Sequence, residues 1–185
     1  YTYDGSSNRV ATITQTDGTQ ITISYQSTRG ANHKVKTITD GEGRQISFNY
    51  ISSQQYTIAT DAHGNATYIY YETVAETQER PEFIRVTRVW QNPYQDAESE
   101  TVYHYDHPTN PNLITKVIDT AGNETVYEYD ENSNLIYQHD SSGGVIERKY
   151  TSTNKLKTET VYQVADPDGD GAELPGSPQT FRYVY

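Results

Sequence analysis

The chain has 185 residues, a hydrophobic share of 33% and a formal net charge of -11. Globular domains draw about half their residues from the apolar set, so aliphatic side chains are too few here for a two-layer core, and the 18 tyrosines must supply much of the buried surface. The acidic balance excludes a nucleic-acid partner, which needs clustered Lys and Arg; the absence of cysteine excludes disulfide staples; and no apolar run approaches the ~20 residues of a membrane span.

Thr, Tyr, Val and Ile fill the periodic stretches, and all four favour strands. The chain opens mid-pattern on Tyr1-Thr2-Tyr3-Asp4 and holds no methionine, which predicts a piece of a longer polypeptide. A first, degenerate unit turns at Asp17-Gly18 and continues through Ile21, Ile23 and Tyr25. The second runs Val35 to Thr39, turns through Asp40-Gly41-Glu42-Gly43, and returns through Ile46 to Tyr50. The third runs Tyr56 to Thr60, turns at Asp61-Ala62-His63-Gly64, and returns through Thr67 to Tyr70. A fourth pairs Phe83 to Val89 with Thr101 to Tyr105, and its turn is the longer stretch from Trp90 to Glu100. The cleanest copy is Leu113 to Ile118, Asp119-Thr120-Ala121-Gly122, then Val126-Tyr127-Glu128-Tyr129-Asp130. Leu135 to His139, Asp140-Ser141-Ser142-Gly143 and a return ending at Tyr150 follow. A last, irregular unit runs Leu156 to Tyr162 and returns through Phe181 to Tyr185. This makes about seven units of 20-odd residues.

Each unit predicts a β-hairpin. Alternate side chains of a strand share a face, as do Ile21, Ile23 and Tyr25, or Thr125, Tyr127 and Tyr129. Asp can bond the backbone ahead of it and Gly permits positive φ, so Asp-x-x-Gly is a corner. A second corner follows Tyr-x-Tyr-Asp, at Asp4-Gly5, Asp106-His107-Pro108 and Asp130-Glu131-Asn132. Single hairpins are marginal in water, so the units must pair into a wide sheet. The expected fold is all-β: consecutive antiparallel hairpins over residues 1–185, forming a curved, spiralling sheet, with irregular insertions near 72–82, 91–100 and 163–180.

Tyr127-Glu128-Tyr129-Asp130, Asn134-Leu135 and Asp140-Ser141-Ser142-Gly143 resemble the YD repeat of the RHS family. The motif can also be read at Tyr103 to Asp106 and at Tyr1 to Asp4, and the resemblance covers nearly the whole chain. It implies a segment of a hollow β-shell in a secreted or surface-displayed bacterial protein. In the family's toxins that shell holds a C-terminal toxic domain. The implied partners are therefore other repeats of the parent chain and an encapsulated toxin domain, and the implied chain has no catalytic residues of its own.

Two stretches stand out as candidate sites. Asp166-Pro167-Asp168-Gly169-Asp170-Gly171 places carboxylates at alternate positions, as an oxygen-rich calcium loop begins, which makes Asp166, Asp168 and Asp170 candidate Ca2+ ligands. Ser177 stands where an EF-hand would need its bidentate Glu. The Asp-Pro-x-Gly in this segment is similar to part of a self-cleavage signature of the family's toxins, without the second aspartate-bearing copy. Trp90-Gln91-Asn92-Pro93-Tyr94 reads as an irregular loop, where function concentrates, so Trp90 and Tyr94 are the candidate ligand-binding rings for a carbohydrate or another cell-surface partner. His104 and His107 read as turn polarity rather than metal ligands. Asn65-Ala66-Thr67 and Asn123-Glu124-Thr125 match glycosylation acceptors, but Asn there is a natural neighbour of the turn Gly. Unpaired terminal strands predict an edge-to-edge homodimer.

Overall fold

The computed structural model describes residues 1–5, 7–27, 34–78, 80–93, 98–162 and 178–185. These form one antiparallel sheet of fifteen strands in chain order. The strands are β1 (Thr2–Tyr3), β2 (Val10–Thr14), β3 (Gln20–Tyr25), β4 (Val35–Thr39) and β5 (Gln45–Ile51). They continue with β6 (Tyr56–Thr60), β7 (Ala66–Val74), β8 (Phe83–Gln91), β9 (Ser99–His104) and β10 (Lys116–Ile118). The last are β11 (Glu124–Tyr129), β12 (Leu135–Asp140), β13 (Val145–Tyr150), β14 (Leu156–Tyr162) and β15 (Gln179–Arg182). A single 3-10 turn, Ser52–Gln54, is the one helical element described, and no described helix is long and apolar enough to cross a membrane.

Four hairpins share one corner. Asp40 donates its N–H to Arg44 O at 3.0 Å and accepts Gly43 N–H on its own carbonyl at 3.0 Å. Gly43 sits at φ +82, the left-handed region a Cβ disfavours. This is a type I turn closed by a left-handed residue, a three-residue hairpin connection. Asp61/Gly64, Asp119/Gly122 and Asp140/Gly143 repeat it. The corner between hairpins uses the same plan with other residues. Asp130 is closed by Ser133 at φ +65, and Thr151 by Asn154 at φ +59. At the far side of these corners the pairing slips by one residue, between Ser24/Tyr25, Glu128/Tyr129 and Lys149/Tyr150.

The first corner departs from the expected one. Its opening residue is Gln15, which donates to Thr19 O at 2.8 Å and accepts from Gly18 at 3.1 Å. Asp17 stands third in the turn, where its carboxylate accepts the Thr19 N–H at 2.9 Å. Asp17-Gly18 thus lies in the turn as expected of this degenerate unit, with Gly18 at φ +85 in the left-handed place.

The chain divides into two compact units, Tyr1–Glu72 with Arg88–Ser99, and Thr73–Thr87 with Glu100–Tyr185. In the first, directly opposed pairs sort by polarity from β2 to β5, whereas β6 mixes them, with Ile58 opposite Asn49 and Thr57 opposite Ile69. Ile13 faces Ile21, Ile23 faces Ile38, Ile38 faces Ile46 and Phe48 faces Ala59. The other face carries Thr12 against Thr22, Thr22 against Thr39, Ser24 against Thr37 and Ser47 against Thr60. In the second unit both faces are mixed. Val117 opposes Thr125 and Arg148 opposes Glu159 on one; Val126 opposes His139 and Val145 opposes Tyr162 on the other.

The expected shortage of core is real. Among the described Ala, Val, Ile, Leu, Phe, Tyr and Trp residues, Val145 alone is fully buried. Cross-strand pairs, each contributing a few tenths to about 1 kcal/mol, must therefore hold the sheet.

Candidate functional site

The recurring site is a tyrosine that closes its own hairpin. Tyr25 Oη donates to Val10 O at 2.9 Å, Tyr50 Oη to Val35 O at 2.9 Å, Tyr129 Oη to Ile114 O at 2.8 Å and Tyr150 Oη to Leu135 O at 3.0 Å. In each case the acceptor lies fifteen residues earlier, at the start of the hairpin. Tyr105 does the same across the longer hairpin, reaching Val86 O at 2.7 Å. The tyrosine is the last residue of Tyr-x-Tyr, or of its Ile-x-Tyr, Phe-x-Tyr and Arg-x-Tyr variants, and Tyr25, Tyr129 and Tyr150 sit where the pairing slips. A half-buried phenol and a strand-end carbonyl satisfy each other there. Burial raises the pKa of Tyr50, Tyr129 and Tyr150 above 10.0.

A cation often covers the ring. Arg9 lies 4.8 Å from the Tyr25 centroid, Lys34 4.8 Å from Tyr50 and Arg85 4.4 Å from Tyr105. Each immediately precedes the residue whose carbonyl the tyrosine bonds. Over Tyr129 the place is taken by the edge of His107, 5.9 Å away. The sequence held this signal as a constant spacing of apolar residue and tyrosine. Reading single motifs rather than spacings missed it.

The turn carboxylates are clasps. Asp119 Oδ1 accepts the N–H groups of Ala121 and Asn123 at 2.9 Å each, and Oδ2 accepts the Asn123 side-chain amide at 2.9 Å. Asp61 and Asn65 form the same clasp, as do Asp130 and Asn134. The side-chain bond from the Asn lowers the carboxyl pKa of Asp61, Asp119 and Asp130 first, and backbone donors add to it. In Asp40 the bond comes from Arg44. Asn65 and Asn123, read as glycosylation matches, thus have a local structural duty. Between successive corners lie shallow grooves at equivalent positions of the repeat. Ile38, Asp40, Arg44 and Asp61 line one; Val117, Asp119, Asn123 and Asp140 line another.

Trp90 is not in a loop. It is the penultimate residue of β8, half-buried, and the irregular stretch starts only at Asn92. The β-branched run before it carries the strand further than the Asn-Pro punctuation suggested. Its ring lies 6.4 Å from Tyr68, and the Arg88 guanidinium lies 4.5 Å from Trp90 and 5.2 Å from Tyr70. Tyr56 joins at 5.7 Å from Tyr68 and 5.2 Å from Tyr70. Four rings and one guanidinium therefore pack on one face of β6 to β8. Tyr94 lies outside the described residues, and so do Asp166, Asp168 and Asp170. Among the described residues no group of three His, Asp or Glu side chains is arranged to hold a metal. His107 is a turn residue, with Nδ1 accepting the Asn110 N–H at 3.1 Å, while His104 ends β9.

No family model matches this chain, and no curated protein matches it.

Proposed function

We propose that the chain is a structural segment of an RHS-type YD-repeat β-shell in a secreted or surface-displayed bacterial protein. In the parent protein the shell would enclose or present a C-terminal toxin domain. The observation that carries the reading is the self-closing hairpin. Each tyrosine bonds a carbonyl of its own repeat, so hairpins can be added or removed without rewiring their neighbours. A quasi-one-dimensional array of that kind suits a wall extended by repetition. Half-exposed faces and acidic, clasped corners suit a partition with solvent or cargo on both sides.

The test is protease protection of the parent protein. A C-terminal domain enclosed by intact repeats should survive a protease dose that digests it once Gly122→Val has opened the corner after β10. Equal digestion of that domain with intact and opened repeats would rule the enclosing role out.

A second reading, a β-sheet surface that recognises carbohydrate or a cell-surface partner, is favoured by the ring cluster around Trp90. Arg88 lies on that ring, so a sugar would have to stack beside the guanidinium. Trp90→Ala should abolish retention on immobilised glycan if this reading holds, and unchanged retention would exclude Trp90 as the contact.

A further inference from the structure

The composition leaves an oxidant few places to act. The chain holds no Cys and no Met, the sulfur side chains that oxidants convert, but it holds 18 Tyr and one Trp. Five of those phenols, at 25, 50, 105, 129 and 150, are each bonded to a strand-end carbonyl. Tyr56 is placed differently. It lies directly opposite Tyr70 across the β6–β7 hairpin, with ring centroids 5.2 Å apart and planes inclined at 44°. Directly opposed side chains are the closest neighbours a sheet offers. The Arg88 guanidinium packs on the Tyr70 ring at 5.2 Å, and Tyr68 lies diagonally from Tyr56 at 5.7 Å. Tyr56 and Tyr70 are half-buried, so each ring is held by its neighbours while part of it stays within reach of a small oxidant. All of these residues belong to the same compact unit.

We propose that Tyr56 and Tyr70 form an oxidative modification site, where the two rings couple into dityrosine and staple β6 to β7. The oxidant is a peroxide used by a haem peroxidase. Each phenol gives up one electron and its proton, and the two phenoxyl radicals join through the ring carbons beside their hydroxyls. The two hydrogens on those carbons then move to the oxygens as the rings regain aromaticity. Reduction of one hydrogen peroxide to two waters takes up the electrons and protons released. The inclination of 44° suits the product, because hydroxyls beside the new bond keep the two rings from lying flat. A link to Tyr70 joins residues already in register, whereas a link to Tyr68 would pull on the diagonal. The link closes a loop around the Asp61/Gly64 corner and limits opening of that hairpin, as a disulfide would in a chain that had cysteine. The proposal stands apart from the shell reading.

The test treats the dilute full chain with hydrogen peroxide and a haem peroxidase. The product should be a monomer two hydrogens lighter, with the fluorescence of dityrosine. After digestion, the peptides holding residues 56 and 70 should be joined in about fivefold or greater excess over any other joined pair, since the fold holds these rings together. Tyr56→Phe keeps the ring but removes the phenol, and should lower the yield about tenfold or more. Tyr71→Phe, next along β7 on the opposite face, should leave it unchanged. In the linked chain, amides of β6 and β7 should exchange about tenfold more slowly. Coupling only between chains or not at all, a link from Tyr56 to Tyr68 instead, an undiminished yield in Tyr56→Phe, or unchanged exchange in β6 and β7 would each overturn the proposal. None of these results bears on protection of a cargo domain.

Discussion

The hairpins from β2 to β7 and those from β10 to β13 share their corners and their tyrosine bonds but not their faces. In the first set, from β2 to β5, isoleucines take one side and hydroxyls the other, where Thr2 and Thr12 bond at 2.6 Å; in β6 Ile58 joins the hydroxyl side, opposite Asn49 and Tyr68. In the second, ion pairs sit among the apolar residues. Arg148 holds Glu159 at 2.8 Å and Lys116 holds Glu124 at 3.1 Å. The corner and the tyrosine therefore set the hairpin, and the face is free to vary. That separation is what a repeat needs if the same ribbon is to meet different surroundings along its length.

The comparison can be broken most severely at Val145, where the second set has its one closed contact. Val145→Asp places a charge at 2% exposure and should cost about 3 kcal/mol or more. Ile46→Asp, at 42% exposure in the first set, should cost only about 1 kcal/mol. Equal losses in urea unfolding would mean that the two sets bury their faces alike. Next come the corners, which should respond alike. Gly43→Ala and Gly122→Ala each force a Cβ into φ above +80 and should cost about 1 to 2 kcal/mol. Removing one hydroxyl by Tyr50→Phe or Tyr129→Phe should cost about 1 kcal/mol in either set, since it leaves a strand-end carbonyl without its partner. The smallest effect is confined to the first set. Arg9→Ala uncovers Tyr25 for about 0.5 to 1 kcal/mol, whereas Asn134, the corresponding residue before Leu135, already bonds Asp130.

Acid should act on both sets through the clasps. Asp40, Asp61, Asp119, Asp130 and Asp140 have native pKa values below the ordinary 3.8. A depressed native value means stability that is present above 3.8 and lost as pH falls through the lowered values. Thermal scans should be flat with respect to these groups near neutrality and fall below about pH 4. Asp119→Asn should flatten that acid fall, because its side chain has no proton to gain.

The strand pattern was open to sequence reading because Asp-x-x-Gly and alternation are local. Asp119, Asp140 and their hairpins stand where spacing put them. Asp17-Gly18 also lies in its expected turn, although there the opening place of the corner is taken by Gln15. Trp90 misled because Asn92-Pro93 marks the end of a strand as well as the inside of a loop, and only the pairing partner decides which. The tyrosine bonds were hidden for a different reason. They join residues fifteen apart, beyond any single motif, and become visible only when several hairpins are aligned by their first apolar residue. The group over the ring is harder still, since Arg9 and Lys34 share a spacing but over Tyr129 a His107 ring reaches in from a different place in the sequence.

Hydrogen exchange of Tyr50→Phe, followed peptide by peptide, reaches the central point most directly. If each tyrosine closes only its own hairpin, amides of β4 and β5 should exchange at least fivefold faster while β10 to β13 keep their native rates, as a fall of about 1 kcal/mol in the free energy of local opening requires. Acceleration spread evenly over the chain, or none in β4 and β5, would contradict it.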